Sequence, residues 1–543
     1  MNRADIPRTV SPSPINGKIH QWKQELKNLY DPTFIEAFAN GHANGFDALY
    51  RGPNQNIQCR NGDTNDHHHF IAKYLASEVG ANRMLGPFHQ PPFTPFRASP
   101  IFVIPKKYTT PPKWRLIFHL SAPEGRSFND GIDTEQLKFS LETIDDAIQM
   151  LARHNKPAYM FKFDIEAAYR LVPLNPTFWN QLGFQFENGF FVDTHASFGS
   201  ASSPWLFVTY VAKPLTITLQ RNYGFDDLLN YIDDFLSISW DLPTAEHRHS
   251  SARQVCNKLG IPLADDKYSE ISSIIIFLGI ELDTIKREAR LPTARLKILQ
   301  EVLAGFQPSS KVSRTDLDSL LGHLSHAAKV VKWGRTFCQR LRELRKSMKN
   351  QDSHIKLSVD AQRDIAWWQR YASTWNGKVP FPSLTDAVPL DLKLASDASG
   401  TIGFGAVYNS HWFSAPWSDP RVPAAIQKSH DINAKELFAV ACTLNTFGHL
   451  LENKKVRLAC DNNVSVQVFY AQRANTRLLN SILRSIFFTC QQQNIDLTVH
   501  HVPGKANTVA DALSRQHWNT FRSLLPSADL HPTPLSIEPL DVC

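Results

Sequence analysis

Asn230-Tyr231-Ile232-Asp233-Asp234-Phe235-Leu236-Ser237-Ile238 sets two adjacent aspartates inside an apolar run. Three other Asp-Asp pairs occur, Asp145-Asp146, Asp226-Asp227 and Asp265-Asp266, among polar or helix-like neighbours. Only Asp233-Asp234 has strand-forming residues on both sides, so the pattern predicts a β-hairpin with the pair at its tip. Two carboxylates held there cannot be buried as ions without a counter-charge, and need cations or water. A polar hairpin turn would show the same two residues, so the rest of the chain has to decide.

Upstream, the apolar run from Tyr159 to Phe163 delivers Asp164 at its end, and an Ala-rich, helix-like turn follows as far as Tyr169. A lone Asp in that position is commonly a helix cap. Beside Asp233-Asp234 it becomes a third carboxylate available to one site. Phosphoryl transfer by two metals requires such a set, with carboxylates from different strands holding two Mg²⁺ about 3.5–4 Å apart. The Tyr169 ring would then lie near the site, where it could block a sugar 2′-OH; core packing is the alternative.

Other stretches fall into place around these acids. Ile101-Phe102-Val103-Ile104-Pro105 and Trp114-Arg115-Leu116-Ile117-Phe118 read as a hairpin whose loop carries Lys106-Lys107, cations suited to phosphates. Phe198-Gly199-Ser200-Ala201-Ser202-Ser203-Pro204 is a small-residue stretch before a helix near Trp205, and small residues let backbone approach a ligand closely. Further on come Lys267 and a strand, Ile274 to Ile280, interrupted at Gly279.

The chain has 543 residues, too many for one hydrophobic core, with 42% hydrophobic and 20% charged residues, an ordinary globular composition. Fifty-eight Lys and Arg against 51 Asp and Glu give a formal +7 and a pI near 8.9. Between Lys329 and Lys349 stand eight basic residues and one acid, Glu343. That local excess matches the excess of the whole chain and predicts a stripe facing a polyanion, unless it is only a solvated helix face. Seven scattered cysteines show neither zinc spacing nor a disulfide framework, which suits a reducing compartment. His67-His68-His69 lacks cysteine partners and reads as surface. No signal peptide or membrane span is expected, so the protein is expected to be soluble and intracellular, in cytoplasm or nucleus, with no membrane partner.

After a Pro-rich segment at residues 375–390, read together with Trp367-Trp368 as a tether, a second set of acids appears. Asp397 and Asp461 end strands, Glu436 starts a helix whose apolar residues Leu437, Val440, Ala441, Leu444 and Phe447 recur at helical spacing, and Asp511 lies in a helix-like run at 507–515. Each acid alone reads as a cap or a surface group. Four of them in a β-β-β-α-β-α-β-α order form a second metal-site pattern.

The succession of basic hairpin, Asp164, Phe198-Gly199, Tyr-Ile-Asp-Asp, Lys267 and Phe277-Leu278-Gly279 resembles a reverse transcriptase. In detail it resembles the DIRS-type (tyrosine-recombinase) retroelement branch, with Leu85-Gly86-Pro87-Phe88, Trp114-Arg115-Leu116-Ile117, His119-Leu120-Ser121 and Asn129-Asp130-Gly131-Ile132 in support. Residues 391–515 look like a ribonuclease H domain, through Ser396-Asp397, Lys435-Glu436-Leu437, Asp461-Asn462 and Ala510-Asp511-Ala512-Leu513-Ser514-Arg515. The resemblance covers roughly residues 20–515.

It implies an α/β multidomain chain, a right-hand polymerase of fingers, palm and thumb followed by a ribonuclease H-like α/β domain. The expected division is a disordered 1–20, a helical extension 21–90, fingers and palm 91–285, thumb and connection helices with tether 286–390, the ribonuclease H-like domain 391–515 and a disordered tail 516–543. Asp164, Asp233 and Asp234, helped by the Ile165 carbonyl, would hold the polymerase metals. Asp397, Glu436, Asp461 and Asp511 would hold those of the nuclease. Each site would take two Mg²⁺ and accept Mn²⁺. Lys106, Lys107 and Arg115 would face the triphosphate, Tyr169 would be the steric gate, and Phe198 and Gly199 would contact dNTP and template. Lys267 would stand where a lysine protonates the pyrophosphate leaving group, and Phe277-Leu278-Gly279 would be the primer grip. No histidine precedes the last Asp in the loop 503–506, and His500 and His501 lie earlier, on the strand. The implied partners are an RNA template, a DNA primer, RNA–DNA hybrid, dNTPs and other retroelement proteins. The competing reading is a catalytically silent, domesticated nucleic-acid-binding protein, disfavoured by the presence of all seven carboxylates. An RNA-copying RNA polymerase is disfavoured by Tyr169 and by the attached nuclease.

Overall fold

The computed structural model describes all residues except 1–5, 8, 11–12, 63, 106–113, 308–310, 349–353, 375–377, 382–392, 539 and 541–543. The chain divides into two compact units, Met1–Arg287 and Glu288–Cys543.

The first unit is organised on a three-stranded antiparallel sheet. Its middle strand, Asp234–Ser239, lies between Tyr159–Asp164 and Asp227–Tyr231. Both faces are largely covered: Met160, Phe161, Phe163, Phe235, Leu236 and Ile238 are all buried, and so are Ser237 and Ser239. Phe163 stacks on Phe235 at 4.7 Å between ring centroids. Helix Leu242–Leu259, capped by the Asp241 carboxylate accepting from the Thr244 N–H, packs on this sheet. The segment 203–222 forms one helical rod whose middle turn, Val208–Ala212, is a π-helix.

A second, five-stranded sheet runs in the order Ile57–Gln58, Arg97–Ser99, Gly183–Phe186, Gly189–Asp193, Met84–Phe88. Residues 21–90 are therefore no separate extension. They supply two strands of this sheet, and Trp22, Phe38, Ile71 and Leu75 join the same hydrophobic core as Phe161, Phe163 and Phe235 of the three-stranded sheet. Nor is the stretch before residue 20 disordered throughout: residues 13–20 are folded, with Ile15 fully buried and helix Ile19–Leu26 beginning there. Ile101–Pro105 and Trp114–Phe118 pair antiparallel as expected; Lys106 and Lys107 lie outside the described residues. Residues 274–280 are not one interrupted strand. Leu278 and Gly279, both at positive φ, make the turn of a hairpin between Ile274–Phe277 and Ile280–Asp283.

The second unit opens with helices Thr293–Ala304, Arg314–Ala327, Gln339–Ser347 and Val359–Thr374. Trp367 and Trp368 belong to the last of these and not to a tether. Trp368 is fully buried and donates to the Phe337 carbonyl at 3.1 Å. The tether expected at 375–390 lies largely outside the described residues. Three of the eight basic residues of the stripe have acidic partners within the chain: Arg345 pairs with Asp318 at 2.7 Å, buried Arg340 lies 3.8 Å from Asp364, and Lys332 pairs with Asp496.

A five-stranded sheet follows in the order His411–Pro416, Gly403–Tyr408, Leu394–Ala398, Lys455–Cys460, Asp496–His501. The first three strands are antiparallel and the last two join in parallel. Helix Ile432–Leu451 is buried along most of its length, against this sheet and helix Arg477–Gln492. Residues 516–538, expected to be part of a disordered tail, are folded. Trp518–Leu524 is a helix, Phe521 is fully buried, and the Asp529 and Thr533 N–H groups donate to Ser410 and Trp412 carbonyls at 2.9 and 2.7 Å.

Candidate functional site

Strand register assembles the first acidic group. Asp164 is the Cα partner of Asp234 across the antiparallel pair, and Asp234 also pairs with Tyr231 across the hairpin. Ile232, at φ 57°, turns the chain, and Asp233 follows it. The turn is held by Asn230 Nδ2 donating to the Ile232 carbonyl at 2.8 Å and by the Ile165 N–H donating to the Asp233 carbonyl at 3.1 Å. Asp233 and Asp234 are thus at a hairpin tip, and Asp164 is opposite.

The loop after helix Leu242–Leu259 returns to this point. The Ala264 N–H donates to the Asp164 carbonyl at 2.9 Å, and Lys267 Nζ donates to Asp164 Oδ2 at 2.8 Å. Burial works against the Lys267 charge, yet its bond to Asp164 and the neighbouring carboxylates hold its pKa above the ordinary value. Burial and Asp164 push the Asp233 carboxyl up, and burial with Asp233 and Asp164 pushes Asp234 up to about 6. The three carboxyls repel one another's charge, which is the chemistry of a cation site, although their ligand atoms do not converge as closely as those of the acids in the second unit. Lys267 answers part of that repulsion.

A cleft of about 490 Å³ opens beside the acids, lined among others by Arg115, Asp164, Asp233, Tyr169, Phe198 and Lys267. Tyr169 rises from the short 3₁₀ turn Ala168–Leu171, and its ring meets Phe198 and Phe207 at centroid distances of 5.0 and 5.9 Å. Burial, with Asp233 and Tyr231 nearby, pushes its phenol up to about 12, so it stays a neutral donor. Phe198 is half exposed, and the Arg115 guanidinium stands 5.5 Å from its ring centre. The sequence pattern did not single out Phe70 and Tyr74, which reach the same cleft from helix His68–Gly80. It also missed Glu142, which accepts from the Asn230 N–H.

Gly199 is where small size is required. It sits at φ 108°, and a Cβ there would lie 2.1 Å from the Phe118 carbonyl oxygen. Asn129 holds this turn, donating to the Gly199 carbonyl at 2.8 Å and accepting from the Ala201 N–H at 2.9 Å. Gly199→Ala is expected to cost about 2–3 kcal/mol, a fall of several degrees in Tm by calorimetry.

In the second unit, the parallel pairing of Ala395 with Ala459 puts Asp397 and Asp461 in phase at the same ends of neighbouring strands. Glu436 projects from the second turn of helix Ile432–Leu451, which begins four residues before the position expected from sequence. Ligand atoms of Asp397, Glu436 and Asp461 all lie within 4.8 Å of one another, among the described residues the one group of three so placed. Asp511, on helix Thr508–Ser514, is not in that group; Arg515 Nε donates to it at 2.7 Å. Ser514 Oγ donates to Asp397 Oδ2 at 2.5 Å, and Asn507 Nδ2 lies 3.4 Å from Asp397 Oδ1. Neither role was assigned from sequence, although both residues flank Asp511. Burial, with Asp511 nearby, pushes the Asp461 carboxyl up, and His501 offsets only part of that rise.

The group fits a metal. Glu436 Oε2 is buried and has no hydrogen-bond partner, an atom that water or a cation would have to satisfy. Burial, then Asp397 and Asp461, push Glu436 up to about 9, and burial chiefly pushes Asp397 up to about 6. Unfolded, these groups titrate near their ordinary values of 4.5 and 3.8. Without metal the folded state therefore holds extra protons, and the stability this provides is present at low pH and lost as pH rises toward about 9. In EDTA, Tm is expected to fall between pH 5 and 9 and to fall less in Glu436→Gln. Because ligands must deprotonate, Mg²⁺ is expected to raise Tm more at pH 8 than at pH 6, as a thermal-shift titration would show.

Residues 104–282 match the family model described as reverse transcriptase (RNA-dependent DNA polymerase), so a reverse transcriptase domain occupies this part of the chain. The enzymatic polyprotein of Carnation etched ring virus is 25% identical over 294 residues, 52% of this chain and 40% of that protein. That of Figwort mosaic virus (strain DxS) is 24% identical over 366 residues, 65% of this chain and 50% of the relative. The chain spans at most half the length of these curated relatives. Among solved structures, it is similar to the foamy viral protease-reverse transcriptase in complex with RNA/DNA hybrid, with a TM-score of 0.49 and 14% identity over 91% of this chain and 63% of that one. The foamy viral protease-reverse transcriptase dRH in complex with ds DNA gives 0.48 and 14% over 92% and 83%. No helix among the described residues is long and apolar enough to cross a membrane.

Proposed function

We propose that this chain is an RNA-directed DNA polymerase of a retroelement, of the DIRS type, with an attached ribonuclease H that cleaves RNA in RNA–DNA hybrids. The observation that carries the polymerase half is the register setting Asp164 opposite Asp234, with Asp233 in the adjoining turn, beside a cleft that also holds Arg115, Tyr169 and Phe198. The family match over residues 104–282 supports it. The nuclease half rests on Asp397, Glu436 and Asp461 converging at the ends of two parallel strands and on one helix.

In both sites Mg²⁺ would supply Lewis-acid activation of the attacking and leaving oxygens. The residues of the chain do the rest. Arg115 offers a fork of donors to a phosphate, and Tyr169 and Phe198 close the cleft by packing on each other. Lys267 Nζ, when released from Asp164, is a proton donor within the same cleft. In the nuclease site, Ser514 and Asn507 orient Asp397 while Asp461 remains the more solvated carboxylate.

The test is dNTP incorporation on a primed RNA template with Mg²⁺, run beside cleavage of a labelled RNA–DNA hybrid. Extension and cleavage by the wild-type chain support the reading. Hybrid binding with neither reaction would instead establish the silent binding protein. Tyr169 adds a sharper expectation. Tyr169→Ala opens the space beside Phe198 and should reduce discrimination against ribonucleotides by about 10²-fold, read as the ratio of kcat/KM for dNTP and rNTP.

A further inference from the structure

Tyr169 and Arg170 are neighbours on one 3₁₀ turn, Ala168–Leu171, but they occupy different environments. Tyr169 lines the cleft, whereas Arg170 is buried beneath it. The Arg170 guanidinium is held by parts of the chain distant in sequence. It donates to Asp193 Oδ1 at 2.5 Å, pairs with Glu78 Oε2 at 3.3 Å and donates to the Tyr74 hydroxyl at 3.3 Å. Its Cζ also lies 6.0 Å from the centre of the Phe118 ring. Glu78 is itself fixed by two bonds from Arg83, at 2.9 and 2.8 Å. A buried cation with this many partners cannot shift without leaving charge uncompensated.

Among these partners Tyr74 is distinctive. It bonds to Arg170 and also lines the cleft with Tyr169 and Phe198. It comes from helix His68–Gly80, outside the 104–282 segment matched by the family model. The turn it braces is entered through Ala167 at φ 50°, a left-handed conformation that the surroundings must hold in place.

We propose that Tyr74 is a positioning residue for Tyr169. Through Arg170 it fixes the turn that carries the gate ring, and so sets how strictly the cleft rejects a nucleotide with a 2′-hydroxyl. The inference rests on the polymerase reading. Loss of the Tyr74 hydroxyl keeps the ring and its packing but removes one hydrogen bond to a buried charge, which slackens the turn.

The experiment compares wild type, Tyr74→Phe, Tyr169→Ala and the double variant, with Lys73→Ala as a control on the exposed side of the same helix. Steady-state incorporation of a single dNTP and of the matching rNTP gives each discrimination ratio. Tyr74→Phe is expected to lower the ratio about five- to tenfold, mainly through a lower KM for the ribonucleotide. In the Tyr169→Ala background it should lower the ratio no further, because its effect passes through that ring. An unchanged ratio in Tyr74→Phe, or an equal further loss in the double variant, overturns the proposal. Wild type that extends no primer at all overturns the polymerase reading, and this proposal with it, and the wild-type lane alone reports that outcome.

Discussion

Asp233→Asn is expected to lower dNTP incorporation by about 10³-fold or more, because a metal-ligating carboxylate supplies several kcal/mol of charge stabilisation to the transition state. Hybrid cleavage by the same preparation should stay at the wild-type level, since Asp233 and the Asp397 group belong to different units of the chain. The substitution keeps shape and removes charge. Burial and Asp164 already hold the Asp233 carboxyl above its ordinary pKa, so its ionised form is a local cost in metal-free protein. Removing that charge also relieves Asp234, which burial, Asp233 and Asp164 push up to about 6. In EDTA at neutral pH, Tm is therefore expected to hold or rise, by about 2–4 °C for each kcal/mol relieved. Lost activity with undiminished stability separates a catalytic role from misfolding. Extension above a tenth of wild type would place the polymerase metals elsewhere.

The parts of this molecule that could be read in advance are those where chemistry and secondary structure coincide locally. Asp233-Asp234 sits in an apolar run, and a hairpin with the pair at its tip follows from that run alone. Asp397 and Asp461 each end an apolar strand, so their positions were legible, although the parallel register that brings them together was not. What stayed hidden depends on partners far away in the chain. The basic stripe looked like a surface for polyanions because Asp318, Asp364 and Asp496, which take up Arg345, Arg340 and Lys332, are not its sequence neighbours. Residues 516–538 show little periodicity because only a few side chains such as Phe521 are buried and backbone groups supply much of the docking. Arg522 gathers the carbonyls of Ala528, Asp529 and Leu530, and strand carbonyls accept from the Asp529 and Thr533 N–H groups. Tyr74 escaped notice for the same reason. A tyrosine on an ordinary amphipathic helix carries no local sign that its hydroxyl meets Arg170, 96 residues on.

Asp461→Asn is the converse substitution, expected to abolish hybrid cleavage by about 10³-fold or more and to leave primer extension unchanged. Asp461 is the most accessible carboxylate of its group, half-buried where Asp397 and Glu436 are buried. Within the group, Asp397 is held by Ser514 and Asn507. Gly504 lies close over Asp461, where an added Cβ would come within 3.3 Å of Oδ2. An amide at this position keeps the size but offers a weaker, neutral oxygen to a cation. It also removes one of the charges that raise Glu436. The variant should therefore lose most of the Mg²⁺-dependent rise in Tm at pH 8 while its Tm in EDTA is maintained. That pair of readings distinguishes a lost metal ligand from a damaged fold without relying on activity. A variant that still cleaves hybrid, or that keeps the full Mg²⁺ response, would show that the Asp397–Glu436–Asp461 group is a buried structural cluster and that hybrid cleavage, if present, occurs at another site.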